Sequence, residues 1–234
     1  MLIYGLQKTS LLDYPHRMSS IIFTGGCNFR CPYCHNGDLV LHPHDCEPYT
    51  NNEVMEHLIH RKNMLDGVVI TGGEPTLQKD LPEFISTIKN LGLLVKLDTN
   101  GTNPSMLQSL LKQNLLDYVA MDIKNSKDKY LSTVGMNDSP ANYLDSVCES
   151  VSLLKECSID YEFRTTFCKE LHSIEDVESI GYWIQGSKNY YIQNYKETEN
   201  VISAQFNPLD KETLISYKTI AEKYIDHVEL RGID

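Results

Sequence analysis

The chain is poor in positive charge, in long apolar runs and in linker-like sequence. It carries 21 Lys and Arg against 32 Asp and Glu, a formal net charge of −11. That deficit argues against nucleic acid or an anionic membrane as a partner, because both recruit clustered Lys and Arg. A small basic pocket for one anionic ligand is still compatible with it. No stretch approaches the roughly 20 consecutive apolar residues needed to span a bilayer. The opening "MLIYGLQKTSLLDYPHR" lacks the basic start and apolar run of a secretion signal. A cytoplasmic location is therefore expected. In that reducing setting the seven cysteines suit metal or redox chemistry better than disulfides. Their odd number also fits poorly with complete pairing. Low-complexity tracts, short repeats and linkers are absent. The 234 residues are therefore read as one domain over 1–234, long enough to bury a core.

Short apolar runs and amphipathic stretches alternate along the chain. "SSIIFTG" (19–25), "GVVITGG" (67–73), "LLVKLDTNG" (93–101), "DYVAMDIK" (117–124), "DYEFRTTF" (160–167) and "YYIQNY" (190–195) are rich in Val, Ile, Tyr, Phe or Thr and read as buried strands. Helical patterns lie between them. Leu81, Phe84, Ile85, Ile88 and Leu91 make one apolar face, with Asp80 as N-cap and Gly92 as stop. "TNNE" (50–53) has capping-box form. Ser139 and Pro140 look like another helix start. The result is an α/β fold, strand then helix six times over, with parallel strands. An open doubly wound sheet and a complete or partial barrel both satisfy this pattern. Both place function at the C-terminal strand ends. That is where the polar segments fall: the cysteines, "GGEP" (72–75), "DTNG" (98–101), "MDIK" (121–124), "RTT" (164–166) and "QN" (193–194).

Cys27, Cys31 and Cys34 stand at C-x3-C-x2-C spacing in one loop. Thiolates so placed select zinc or iron–sulfur. A closed zinc site wants four ligands, and His35, adjacent to Cys34, is poorly placed to be the fourth. A [4Fe–4S] cluster held by three cysteines keeps one iron open. Cys46, Cys148, Cys157 and Cys168 do not cluster; Cys148 and Cys157 read as small packed hydrophobes. No auxiliary cluster is expected, since 35–50 contains only Cys46.

With aromatic Tyr33 between its second and third cysteines, the motif resembles the signature of the radical S-adenosylmethionine superfamily. That resemblance implies a [4Fe–4S] cluster on Cys27, Cys31 and Cys34 and S-adenosylmethionine at its open iron. It also implies cofactor contacts from Tyr33, Gly72, Gly73 and Glu74. The two glycines would let a ligand lie close to the backbone. Glu74 would help hold the methionyl ammonium. Alone, "GGEP" could equally be a plain turn.

"LDTNG" and "AMDIK" resemble a narrower group, the activases of glycyl radical enzymes. In the pyruvate formate-lyase activase, matching residues hold a monovalent cation, Na+ or K+. Here these would be Asp98, Thr99, Asp122 and the carbonyl of Ala120. Asp98 and Asn100 could instead simply build a turn with Gly101. Lys124 could reach the cofactor carboxylate or be a solvated lysine. Arg164, inside a buried strand, needs a partner, either the ligand or an acidic side chain.

The stretch "YGLQKTSLLDYPHRMSSIIFTGGCNFRCPYCHNGDLV" resembles activating proteins of anaerobic ribonucleoside-triphosphate reductase, while the chain length is more like the formate-lyase activase. The resemblance implies a partial (β/α)6 barrel with a leading N-terminal hairpin. It implies hydrogen abstraction from a glycine of a partner glycyl radical enzyme, with reduced flavodoxin or ferredoxin as electron donor. Other readings are a different glycyl radical enzyme as partner, peptide or RNA modification, or a zinc-stabilised binding module. A non-radical methyltransferase would leave the three thiols unexplained.

Overall fold

The computed structural model describes residues 1–45, 47–137 and 142–233. Cys46, and the helix start expected at Ser139 and Pro140, fall outside the described residues. Eight strands form one sheet in chain order: β1 Ile3–Ser10, β2 Ser19–Thr24, β3 Gly67–Gly72, β4 Leu94–Thr99, β5 Tyr118–Asp122, β6 Asp160–Phe167, β7 Asn189–Asn194 and β8 His227–Arg231. β1 is antiparallel to β2, giving the leading hairpin, and every later pairing is parallel. A doubly wound sheet reverses its strand order at a switch point. This order never reverses, so right-handed crossovers put all the helices on one face. The edges β1 and β8 are not paired with each other, which leaves the expected partial barrel open. β8 closes the series after six crossovers. Its residues alternate between exposure and burial, so no apolar run announces it.

The crossovers carry α1 Gly37–Leu41, α2 Asn51–Arg61, α3 Leu81–Lys89, α4 Pro104–Lys112, α5 Tyr130–Thr133, α6 Tyr143–Glu156, α7 Ile174–Trp183 and α8 Lys211–Ala221. Thr50 and Glu53 close the expected capping box on α2, with Glu53 N–H donating to the Thr50 hydroxyl at 3.2 Å and Thr50 N–H to the Glu53 carboxylate at 2.8 Å. Gly92 ends the α3 segment at φ +83°. Asp80 does not cap α3: its carboxylate pairs with the Met1 amino group. The attraction between opposite charges outweighs that of a neutral N–H. Among the described residues no helix is long and apolar enough to cross a membrane.

Strand parity divides the core. Val68 and Ile70 join the large cluster between sheet and helices, while Val69 between them joins a small cluster with Tyr14, Ile21 and Tyr118 on the other face. Each fully buried aliphatic side chain contributes roughly 1.5–3 kcal/mol. The concave face is otherwise polar. Lys96 and Glu162 are buried there, and Glu162 accepts from Tyr118 Oη at 2.8 Å and from Arg231 at 2.9 and 3.2 Å.

Candidate active site

The cysteine loop leaves the end of β2 and is braced from two distant segments. Arg30 N–H donates to Val134 O at 2.9 Å. From the β7–α8 connection, Ile202 N–H donates to Cys34 O at 3.3 Å and Ser203 N–H to Pro32 O at 2.8 Å. Gly37 N–H in turn donates to Asn200 O at 3.0 Å. The loop is thus held by backbone bonds that do not depend on side-chain identity.

Cys27, Cys31 and Cys34 all line one cleft of about 250 Å³ at the C-terminal strand ends, together with Tyr33, Gly72, Gly73, Glu74, Asp98, Thr99, Asp122, Lys124 and Arg164. Of the sequence-derived site residues only Ala120 does not line it. Burial pushes the Cys27 thiol up to about 11 and the Cys31 thiol to about 12, and raises Cys34 as well. A metal binding there must displace protons. The donor set fits a cluster whose ligands spread over several irons. It does not fit a closed zinc site. Among the described residues no three His, Cys, Asp or Glu side chains are arranged around one ion position. The His35 ring stacks on Tyr195, with Nε2 2.6 Å from Lys196 O. Cys168 is buried and Cys148 and Cys157 half-buried, all outside the cleft.

The two glycines are needed by the chain itself, whatever ligand lies against them. A Cβ on Gly73 would lie 1.9 Å from Gly26 O, and one on Gly72, at φ +115°, 2.4 Å from Thr24 N and O. The chain's own cysteine loop is what approaches closely. Gly73 N–H donates to Thr24 O and Glu74 N–H to Gly26 O, both at 2.8 Å, so the strand end and the loop move as one piece.

Glu74 is 1% exposed. Its carboxylate accepts from Thr76 Oγ1 at 2.5 Å, Thr99 Oγ1 at 2.8 Å and Asn100 N–H at 2.6 Å. Burial raises its proton affinity, and these hydrogen bonds only partly oppose that. No Lys or Arg pairs with it among the described residues. A buried carboxylate lacking a counter-charge suits a cationic ligand group.

Opposite it, three cations hold two carboxylates. Arg164 bridges β4 and β5, with Nε 2.5 Å from Asp122 and an amino nitrogen 3.1 Å from Asp98. Lys96 pairs with Asp98 at 2.5 Å and Lys124 with Asp122 at 2.9 Å. Burial would raise both carboxyls, yet the cations hold them below the usual carboxylate range, Asp122 well below. The expected monovalent cation does not fit this arrangement. Both carboxylates are already taken, the Thr99 hydroxyl is spent on Glu74, and Ala120 lies outside the cleft. Of the two readings of Arg164, the structure shows the acidic partners. Sequence reasoning missed Lys96, and also Asn28, which accepts from the Asn100 amide at 2.9 Å beside Cys27. Lys96 stands in an apolar run, and only strand parity turns it inward. Tyr33 is buried, and its hydroxyl has no hydrogen-bond partner, an orphan donor beside a cleft that a ligand could satisfy.

Comparison with known proteins agrees with this geometry. Residues 21–167 match the model of the radical SAM superfamily. A Methanocaldococcus jannaschii protein assigned as a glycyl-radical enzyme activating enzyme is 36% identical over 100% of this chain and 97% of its own length. The pyruvate formate-lyase-activating enzyme of Clostridium pasteurianum is 26% identical over 80% of this chain and 84% of its own. Among solved structures, a radical SAM methyltransferase from Sphaerobacter thermophilus superposes with a TM-score of 0.73 at 18% identity, over 95% of this chain and 68% of that one. SuiB of Streptococcus suis superposes at 0.69 and 16% identity over 91% of this chain, which spans 48% of SuiB. At such identities the two structures speak for the fold alone. On the family match and the full-length relative, the chain belongs to the radical SAM superfamily and, within it, to the glycyl-radical enzyme activating enzymes.

Proposed function

We propose that this enzyme generates a glycine-centred radical in a partner glycyl radical enzyme, namely anaerobic ribonucleoside-triphosphate reductase. The observation that carries the radical chemistry is the single cleft shared by three thiols, an uncompensated carboxylate, and Lys124 and Arg164 paired with Asp98 and Asp122; the reductase as partner rests on the likeness of the N-terminal segment to its activating proteins. Cys27, Cys31 and Cys34 would hold a [4Fe–4S] cluster, leaving one iron for the methionyl end of S-adenosylmethionine. When bound, the cluster would supply the one electron that breaks the C5′–S bond of S-adenosylmethionine, releasing methionine, and the glycine Cα would give the hydrogen atom that completes 5′-deoxyadenosine. The electron comes from reduced flavodoxin or ferredoxin.

The chain's own residues orient the cofactor. Glu74 receives the methionyl ammonium. Lys124 and Arg164 receive the carboxylate, with Asp98 and Asp122 holding those cations in place. Tyr33 offers its unpaired hydroxyl, and Gly72 and Gly73 keep the strand end tight against the cysteine loop. A second reading, a partner of pyruvate formate-lyase type, is supported by the Clostridium relative and its similar length.

The test is anaerobic. After reconstitution with iron and sulfide, we expect about four irons per chain, as a cubane requires, and 5′-deoxyadenosine on reduction with S-adenosylmethionine. Cys31→Ala should reduce its release to background, and Cys148→Ala should leave it unchanged. Release by Cys31→Ala would overturn the cluster assignment. A glycine-centred radical signal in the ribonucleotide reductase identifies the partner. A signal only in a formate-lyase-type enzyme selects the second reading.

A further inference from the structure

Asn100, just past β4, is 6% exposed and its side chain is fully committed. Oδ1 accepts from Thr102 N–H at 3.0 Å and Thr102 Oγ1 at 2.7 Å. Nδ2 donates to Asn28 Oδ1 at 2.9 Å and lies 3.8 Å from Cys27 Sγ. Asn28 Nδ2 donates back to Thr102 Oγ1 at 2.8 Å. These contacts fix which end of the Asn100 amide is nitrogen. Turned over, its oxygen would face Asn28 Oδ1 and its NH2 would face the Thr102 N–H, two clashes of like polarity. One amide hydrogen is thereby assigned to Asn28, and the other is left for the Cys27 sulfur. Phe29 N–H also donates to that sulfur, at 3.4 Å. Among the described residues Cys27 is the only one of the three cysteines to receive a side-chain N–H.

We infer that Asn100 is a positioning residue that tunes the reduction potential of the cluster through an N–H···S bond to Cys27. The inference rests on the reading that the three cysteines carry that cluster. An N–H donor draws electron density from a ligating sulfur and so favours the electron-richer, reduced state; hydrogen bonds to sulfur are a recognised lever on cluster potential. The ring through Asn28 and Thr102 aims the donor. Through its own backbone N–H, Asn100 also ties the same turn to Glu74. One residue thus touches both the proposed ammonium site and a proposed cluster ligand.

The experiment is a redox titration of the reconstituted protein without S-adenosylmethionine, followed by electron paramagnetic resonance. Asn100→Leu removes the donor at similar volume, and Asn100→Asp replaces it with a negatively charged acceptor. With iron content equal to wild type, both should show a more negative midpoint potential, Asn100→Asp by the larger shift. Thr102→Val, which frees the amide without removing it, should shift in the same direction by less. An unchanged potential in whichever Asn100 variant assembles its cluster overturns the inference. Failure of both to hold iron also overturns it, in favour of a purely structural turn. If wild type takes up no iron, the reading of the three cysteines fails instead.

Discussion

Gly73 shows how one missing atom can decide a site. Gly73→Ala would put a methyl 1.9 Å from Gly26 O, a backbone atom that cannot swing aside. Strain of this kind typically costs about 1–3 kcal/mol, and here it falls on the contact that fastens the strand end to the cysteine loop. Urea denaturation should show that loss, and iron content after reconstitution should fall with it. At this scale the sequence was partly legible. The cysteine spacing and the "GGEP" and "DTNG" segments could be read because rare residues stand at fixed offsets. The partners of Glu74 could not, since Thr76, Thr99 and Asn100 come from two strand ends that only folding brings together. The glycines have a second reason that their positions in the chain do not reveal. A missing Cβ signals close approach without saying what approaches. Asp80 misled in a related way, because its opposite charge lies far away in the chain.

Among the elements, α7 offers a measurable electrostatic contribution. Asp176 near its start accepts from Ser126 Oγ at 2.8 Å, Lys129 Nζ at 2.6 Å and Ser173 N–H at 2.8 Å. Burial alone would raise this carboxyl, but the bonds from Lys129, Ser173 and Ser126 hold it below its ordinary value. A carboxyl whose folded pKa is depressed stabilises the fold above its unfolded pKa, near 4, and that contribution is lost as pH falls through the folded value. Asp176→Asn should therefore cost about 1–3 kcal/mol at pH 7. The gap between variant and wild type should narrow below about pH 4. A gap in urea midpoints that stayed constant from pH 7 to pH 3 would refute it. The strands were more legible than their neighbours. Six short Val-, Ile- and Tyr-rich runs are buried on both faces at their centres, so composition alone revealed them. β8, half exposed at the sheet edge, had no such run. The alternation that turns Lys96, Asp98, Glu162 and Arg164 inward could be assigned to a face only once strand register was known.

The whole molecule is acidic, at −11, yet its concave face buries cations. Lys96, Lys124, Arg164 and Arg231 pair there with Asp98, Asp122 and Glu162. Asp98 and Asp122 thus have their counter-charges from the chain itself. S-adenosylmethionine binding should therefore be unchanged when Na+ and K+ are replaced by a bulky organic cation; a loss of affinity would restore the cation site. Arg164→Gln should weaken binding roughly 10- to 100-fold, as expected for losing a charge-assisted contact of about 1.5–3 kcal/mol. It should also make the affinity sensitive to Na+ or K+. The open roll itself was expected from the family resemblance. Strand–helix rhythm could not distinguish it from a doubly wound sheet, because that choice lies in strand order, which local patterns do not encode.

The brace on the cysteine loop has a consequence for how the protein is made. Cys27, Cys31 and Cys34 are made long before Asn200, Ile202 and Ser203, which supply three of the backbone bonds that shape their loop. A nascent chain halted before that point has the thiols without the scaffold.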